Sequence, residues 1–453
     1  MVSSGTGASE GAIRTIDLDQ FQASFESDPR FVQSMNAVTS TPVGKVAMNR
    51  RKAVQIDHAF SDHLAENPAT HQKSSGRCWM FAALNTFRSK AAKSMNVEHF
   101  EFSQNYTMFW DKLEKANYFL ECILDTLGEP IGSRTLDWLL GNIITDGGQW
   151  DMFVNLIDKY GVVPKSVMPE TESSSSTGQM NFQVVQMLRD YASRLRKKNE
   201  AGASMDSLRA EKMGFMSDVF RMLCIHLGEP PKDFVWQWRD KEKNFQRGGR
   251  MTPLEFYAKY VDIDLKDMVC LIHDPRPGHP LNAVYTVRYL GNVWEGRPTE
   301  YLNTDLDTIK QAAIKQIRSG ESVWFGCDVG KYLDRDSGVM DMDLFHYEHV
   351  YGFKPEMDKA ERLMYGHSLM THAMVFTGVD VNEAGNSTKW RVENSWSDAA
   401  GDKGFFQMSD AWFDEFMYEV VVHKSFVPES VLASLTKDPI VLDPWDPMGS
   451  LAL

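Results

Sequence analysis

The chain has 453 residues, 43% hydrophobic and 24% charged. That globular balance leaves room for two or three domains and excludes a disordered or fibrous polypeptide. A formal net charge of -14 argues against whole-surface attraction to nucleic acid or anionic membrane. The cysteines Cys78, Cys122, Cys224, Cys270 and Cys327 form no Cys-x-x-Cys pair, so neither a disulfide framework nor a thiol-rich zinc site is expected.

Residues 1–12 are small and polar. The opening has no basic flank ahead of an apolar core, which predicts no secretory signal. No apolar run approaches the roughly 18 to 20 residues of a membrane span, so a reducing, cytoplasmic setting without membrane partners is expected. Periodicity stays weak to about residue 69. Gln72-Lys73-Ser74-Ser75-Gly76-Arg77-Cys78-Trp79-Met80-Phe81 then reads as a Gly-containing turn running into an apolar helix. Helices follow over Phe102–Lys115, opened by a serine cap, over Asp137–Ile144, stopped by Asp146-Gly147-Gly148, and over Trp150–Tyr160, ended by Gly161.

Thr171–Gly178 is a low-complexity loop, and residues 181–227 regain helical periodicity. The basic run Arg189–Lys198 within it is expected to be a solvated helix face. Thr252-Pro253 opens a short helix. From Val269 the pattern turns to strands: Val269–Ile272, Ala283–Leu290, Val323–Cys327, and runs around His372, Trp390 and Phe405. One helix, Asp305–Ser319, lies among them. Helices first and strands later predict an α+β chain of two unlike halves with a reaction cleft between them. The tail from Asp438 has three prolines, Pro439, Pro444 and Pro447; it cannot be helical and is apolar enough to lie in a groove.

Cys78, at a helix N-terminus, feels the positive end of the macrodipole, which favours thiolate. Most cysteines are simply small buried residues. The turn before this one, and Gln72 six positions upstream (78 − 72), point instead to a nucleophile with a carboxamide oxyanion donor. His372 and Asn394 lie 22 positions apart (394 − 372), a span that lets a hairpin set Asn394 against one ring nitrogen and leave the other for sulfur. Trp396 lies on the same strand face, where it screens the pair from water. His346-Tyr347-Glu348-His349 lacks the His-Glu-x-x-His spacing, and no metal or other cofactor is expected.

The order Gln72, Cys78, His372, Asn394-Ser395-Trp396 resembles the papain-like cysteine peptidases. Phe102–Ala116, Asp146–Met152, Ser322–Gly330 and Pro447-Met448-Gly449 are similar to the bleomycin hydrolase (aminopeptidase C) family, from about residue 40 to the end. The resemblance implies a papain-like two-domain core: a helical half and a β-barrel-like half, with a helical insertion and a C-terminal arm. The expected segments are residues 1–70, 71–165 with Cys78, 166–265 as the insertion, 266–436 with His372 and Asn394, and 437–453 as an arm in the cleft.

The implied activity is that of a cysteine aminopeptidase on peptides with a free N-terminus, working through an acyl-enzyme thioester. Hydrolysis of bleomycin and homocysteine thiolactone is implied as well. Cys78 would be nucleophile, His372 base and Asn394 orienter, with Gln72 and the Cys78 N–H as oxyanion donors. Gly147 and Gly148 would line the substrate backbone, Trp396 and Ala452 would complete the binding residues, and Leu453 would be the residue trimmed by self-processing. The Cys78-to-His372 separation is 294 (372 − 78), against roughly 130 to 150 in ordinary papains; the insertion supplies much of the excess. Ser75 stands where secreted papains carry a disulfide cysteine. A homohexamer is implied, and so is weak nucleic-acid binding, the alternative reading of the chain, which its acidic balance opposes.

Overall fold

The structure, a computed structural model, describes residues 11–65 and 67–451. The chain divides into two compact units, residues 1–57 with 341–357 and residues 58–340 with 358–453.

In the first unit, Asp28 ends helix α1 (Thr15–Ser27) and caps α2 (Pro29–Val38), accepting the Arg30 N–H at 2.9 Å. No residue of either helix is buried, which accounts for the weak periodicity of this stretch. Phe21, Phe25, Phe31 and Met35 instead line a groove of about 600 Å³ with Val350 and Tyr351. His346, Glu348 and His349 bring their ligand atoms within 4.8 Å of one another at the surface of this unit.

The second unit is built around α3 (Cys78–Met95), where Trp79, Met80, Phe81, Ala83, Leu84, Phe87 and Ala91 are all buried. A helix apolar on nearly every side belongs at the centre of a core, and its alanines let neighbours approach closely. It stops at Asn96, which takes the left-handed conformation at φ 54°. Around it lie α4 (Gln104–Asp125), with Ser103 capping the Tyr106 N–H at 3.0 Å, α5 (Arg134–Gly141) and α6 (Trp150–Tyr160).

Helices α7 (Gly178–Glu200) and α8 (Met205–Leu227) pair through Tyr191 and Phe215, whose rings stack at 3.9 Å. The basic run on α7 finds protein partners. Lys198 meets Glu211 at 2.6 Å, and Arg196 donates to the Thr126 and Glu129 carbonyls. After α8 comes a hairpin, β1 (Phe234–Arg239) and β2 (Phe245–Met251). Its aromatic residues Trp236 and Trp238 pack on Phe256 and Tyr260 of the next helix.

The remaining strands form one twelve-stranded sheet. Its main members are β3 (Met268–Ile272), β4 (Ala283–Val287), β5 (Glu300–Asn303), β6 (Val323–Cys327), β7 (His372–Val381), β8 (Ser387–Glu393), β9 (Phe405–Ser409), β10 (Met417–His423) and β11 (Ile440–Leu442). They lie in the order β11-β4-β5-β3-β10-β6-β7-β8-β9. The chain's last strand, β11, runs parallel to β4, with Val441 beside Thr286. Among the described residues, no helix is long and apolar enough to cross a membrane.

Candidate active site

The turn before α3 closes on itself. Ser75 Oγ donates to the Gln72 carbonyl at 2.6 Å, and Gln72 Nε2 donates to the Ser75 carbonyl at 2.6 Å. A carbonyl can only accept, so Nε2 is fixed as the amide nitrogen, and its second N–H is left for another acceptor. Ser395 Oγ holds Gln72 Oε1 at 2.5 Å, and the Gln72 N–H meets the Ser395 carbonyl at 2.9 Å. The guanidinium of Arg77 is buried against Glu170, Nη2 to Oε2 at 2.7 Å, and locks the residue just ahead of Cys78.

Cys78 opens α3 and is 1% exposed. Its sulfur lies 3.5 Å from the Ala373 N–H on β7, which brings it beside His372 in the chain. Strand register does the rest. His372 faces Cys327 on β6, and Val375 pairs with Glu393 on β8, so the residue just past β8 returns to the head of β7. That residue is Asn394, with Oδ1 at 2.9 Å from His372 Nε2. The same oxygen accepts the Ser395 backbone N–H at 2.7 Å. A backbone N–H must donate, so the atom is an acceptor, and His372 Nε2 carries the ring proton. Nδ1 is therefore the nitrogen with a free lone pair.

The Trp396 ring is tilted over His372 with centroids 4.9 Å apart. Burial, helped by the Asp146 carboxylate, pushes the Cys78 thiol up to about 12 against the pull of the Ala373 N–H, and burial draws the His372 ring down to about 4 against the opposing Asn394 bond. Neither group supports a lone charge near neutral pH.

Asp146 joins this site to the start of α7. Its carboxylate accepts the Gly76 N–H at 3.1 Å, Lys112 Nζ at 2.6 Å and Asn181 Nδ2 at 2.8 Å, and also bonds Thr177 Oγ1. Burial opposes its charge, and these partners, Lys112 foremost, outweigh burial and hold the carboxyl below its usual range. Its own carbonyl accepts Trp79 Nε1 at 2.7 Å. Sequence reasoning placed Asp146 in a helix stop and in the family-like run Asp146–Met152 but gave its side chain no role; the available signal was the Asp-Lys content of an otherwise buried α4.

Next to it, the Gly147 carbonyl accepts Lys115 Nζ at 2.6 Å. A Cβ on Gly148 would come within 2.6 Å of the Trp79 ring. Glycine is thus required there by the indole packed against the loop. Gln149 reaches the C-terminal segment, with Nε2 donating to the Ser450 carbonyl at 2.7 Å, while Ser450 Oγ donates to the Met370 carbonyl at 2.9 Å. A cavity of about 260 Å³ lies between Pro444–Leu451 and Tyr118, Trp138, Ile143 and Leu369. Ala452 and Leu453 lie outside the described residues.

Fold and site together define a cysteine peptidase with a papain-like fold. A sequence profile described as the Peptidase C1-like family matches residues 12–449. The chain is 45% identical to aminopeptidase C of Listeria monocytogenes, over 96% of this chain and 98% of that one. It is 46% identical to bleomycin hydrolase of Homo sapiens, over 94% and 96%. The crystal structure of PepW from Lactobacillus rhamnosis superposes with a TM-score of 0.96 at 45% identity, covering 98% of this chain and all of that one. The chain belongs to the Peptidase C1-like family. Within it, the enzyme is a cysteine-type aminopeptidase.

Proposed function

We propose that this enzyme removes the N-terminal residue of peptides through a Cys78 thioester, with His372 as the acid–base and Asn394 as its orienter. The carrying observation is the doubly used Asn394 oxygen, which leaves His372 Nδ1 unprotonated beside the Cys78 segment. Transfer of the thiol proton to Nδ1 creates thiolate and imidazolium together. Each charge then has an opposite neighbour, and the α3 N-terminus and the Ala373 N–H favour the sulfur anion. The thiolate attacks the scissile carbonyl, and the spare Gln72 N–H and the Cys78 N–H receive the oxyanion. Collapse breaks the C–N bond, with His372 giving its proton to the leaving amine. Water, deprotonated by His372, then cleaves the thioester and releases the amino acid.

The exopeptidase restriction comes from the residues after β11, taken as an arm along the cleft. The bonds of Ser450 to Gln149 and Met370 support this reading, since Gln149 follows Gly148 and Met370 lies two residues before His372. The arm's end would meet a substrate's free amine and exclude longer chains. Ala452 would then contribute to binding and Leu453 would be the residue trimmed. The same acyl chemistry extends to the amide of bleomycin and to homocysteine thiolactone.

A homohexamer in a reducing, cytoplasmic setting completes the proposal. The exposed apolar groove on α1 and α2 supports association, and five free cysteines support the compartment. The net charge of -14 and the paired cations of α7 favour peptides over nucleic acid as partners.

The test compares an amino-acid amide with its N-acetylated twin, on the intact enzyme and on one lacking residues 450–453. Cleavage of the free-amine form alone, with the blocked form gaining after truncation, is expected. Equal cleavage of both by the intact enzyme would refute the arm.

A further inference from the structure

The end of the chain is fixed by more than apolar contact. Strand β11 stops at Leu442, and at Asp446 the chain is tied to the body by an ionic contact. Arg276, in the loop after β3 and 9% exposed, faces carboxylates from two distant parts of the sequence. Its Nε donates to both Asp274 oxygens at 3.0 Å and its Nη2 to Asp274 Oδ2 at 2.6 Å. On the other side, Nη2 and Nη1 donate to Asp446 Oδ1 at 2.7 Å and Oδ2 at 3.2 Å. His279 Nδ1 lies 3.0 Å from Asp274 Oδ2 and closes that end of the cluster.

Only a planar, five-donor guanidinium can hold two carboxylates in this manner; an ammonium is a point charge without the fork. Asp446 has a second task. Its Oδ1 accepts the Met448 N–H at 2.9 Å and so caps the turn Pro447–Gly449. That turn sends Met448 into the core beside Met370 and Tyr418, and delivers Ser450 to Gln149 two residues later. Pro444 and Pro447 flank the ion pair and restrict the backbone on both sides. Trp445, between them, lies beneath the Arg134 guanidinium at 3.8 Å. Between the clamp and Leu451 the segment is held at Asp446, Met448 and Ser450, so the position of Asp446 bears on the residues that follow it up to Leu451.

We propose that the Asp274–Arg276–Asp446 clamp is a specificity-determining element that fixes how far the arm reaches, and thereby makes a free N-terminus the only end that fits. The proposal rests on the arm reading given above. Both carboxylates and the guanidinium act through the arm, so they are positioning residues. A clamp of this kind changes which substrates enter without touching the reacting atoms.

Asp446→Asn is the sharpest variant, because the amide oxygen can still cap the Met448 N–H while the charge is gone. Arg276→Lys is the second, keeping a charge and losing the fork. Both are made in the full chain, and both are compared with the enzyme lacking residues 450–453. Three readouts are taken: hydrolysis of the free-amine amide and its N-acetylated twin, hydrogen exchange at the Met448 and Ser450 amides, and the melting temperature. In each clamp variant the N-acetylated substrate is expected to gain on the free-amine one by about tenfold or more, the scale of one lost ionic hydrogen bond. Exchange at Met448 and Ser450 is expected to quicken in parallel. Clamp variants that stay folded and keep full discrimination, while the truncated enzyme loses it, would overturn the clamp and leave the arm standing. A truncated enzyme that still rejects the blocked substrate would overturn the arm reading, and the clamp with it.

Discussion

One oxygen of Asn394 serves two donors, and that double duty settles which nitrogen of His372 carries the proton. Asn394→Ala is expected to lower kcat on the order of 100-fold with little change in KM, because it frees the ring to rotate and swap tautomers. Steady-state kinetics on a free-amine amide reads this directly. Gln72 is a comparable case. Gln72→Glu keeps the shape and, once ionised, has no donor for the oxyanion, so kcat is expected to fall about 100- to 1000-fold. A Gln72→Glu enzyme with unchanged kcat would remove Gln72 from the oxyanion hole.

Single elements show why some of the design was legible and some was not. The β7–β8 hairpin could be read from the 22-residue spacing of His372 and Asn394, and the cysteine helix from its turn and unbroken apolar run. Helix α4 was legible at its serine cap, but not in what it buries. Its Asp111, Lys112 and Lys115 look like solvent-facing charges in sequence, and all three are buried in the fold, serving the loop of Asp146 and Gly147. Such charges can be buried only with partners from elsewhere in the chain, and no local pattern announces them.

Strand β5 escaped the sequence reading because it is only 4 residues long, and β10 because Glu419 interrupts its apolar run. The β1–β2 hairpin escaped because its arginine-rich second strand does not look apolar. At this scale, Asp146→Asn is expected to cost about 3–5 kcal/mol in denaturant unfolding, since Lys112 would lose its buried counter-charge. Gly148→Ala should both destabilise the enzyme and lower kcat, because the added methyl displaces Trp79, the neighbour of Cys78.

For the whole molecule, one group that shapes the pH dependence of stability lies away from the chemistry. Glu419 on β10 is 1% exposed, and burial raises its carboxyl to about 8, while the Cys270 thiol donates to it at 3.2 Å. The folded state therefore holds a proton that the unfolded chain releases near the ordinary glutamate value of 4.5. The stabilising contribution is fully present below that value, declines as pH rises, and is gone above about pH 8. Glu419→Gln keeps the neutral form at every pH. The stability difference between variant and parent, measured by chemical denaturation from pH 5 to 9, is expected to grow in the variant's favour by a few kcal/mol. A flat difference would mean that Glu419 is not protonated in the fold.

The turn that presents Cys78 is fastened entirely by hydrogen bonds: Ser75 to Gln72, Arg77 to Glu170, Gly76 to Asp146. All five cysteines are free. A thiol-activating reagent such as dithiothreitol thus finds no covalent fastening to undo, and it can regenerate an air-oxidised nucleophile without loosening the scaffold that aims it. Activity should follow the redox history of the sample, while the melting curve of the reduced and re-reduced enzyme stays in one place.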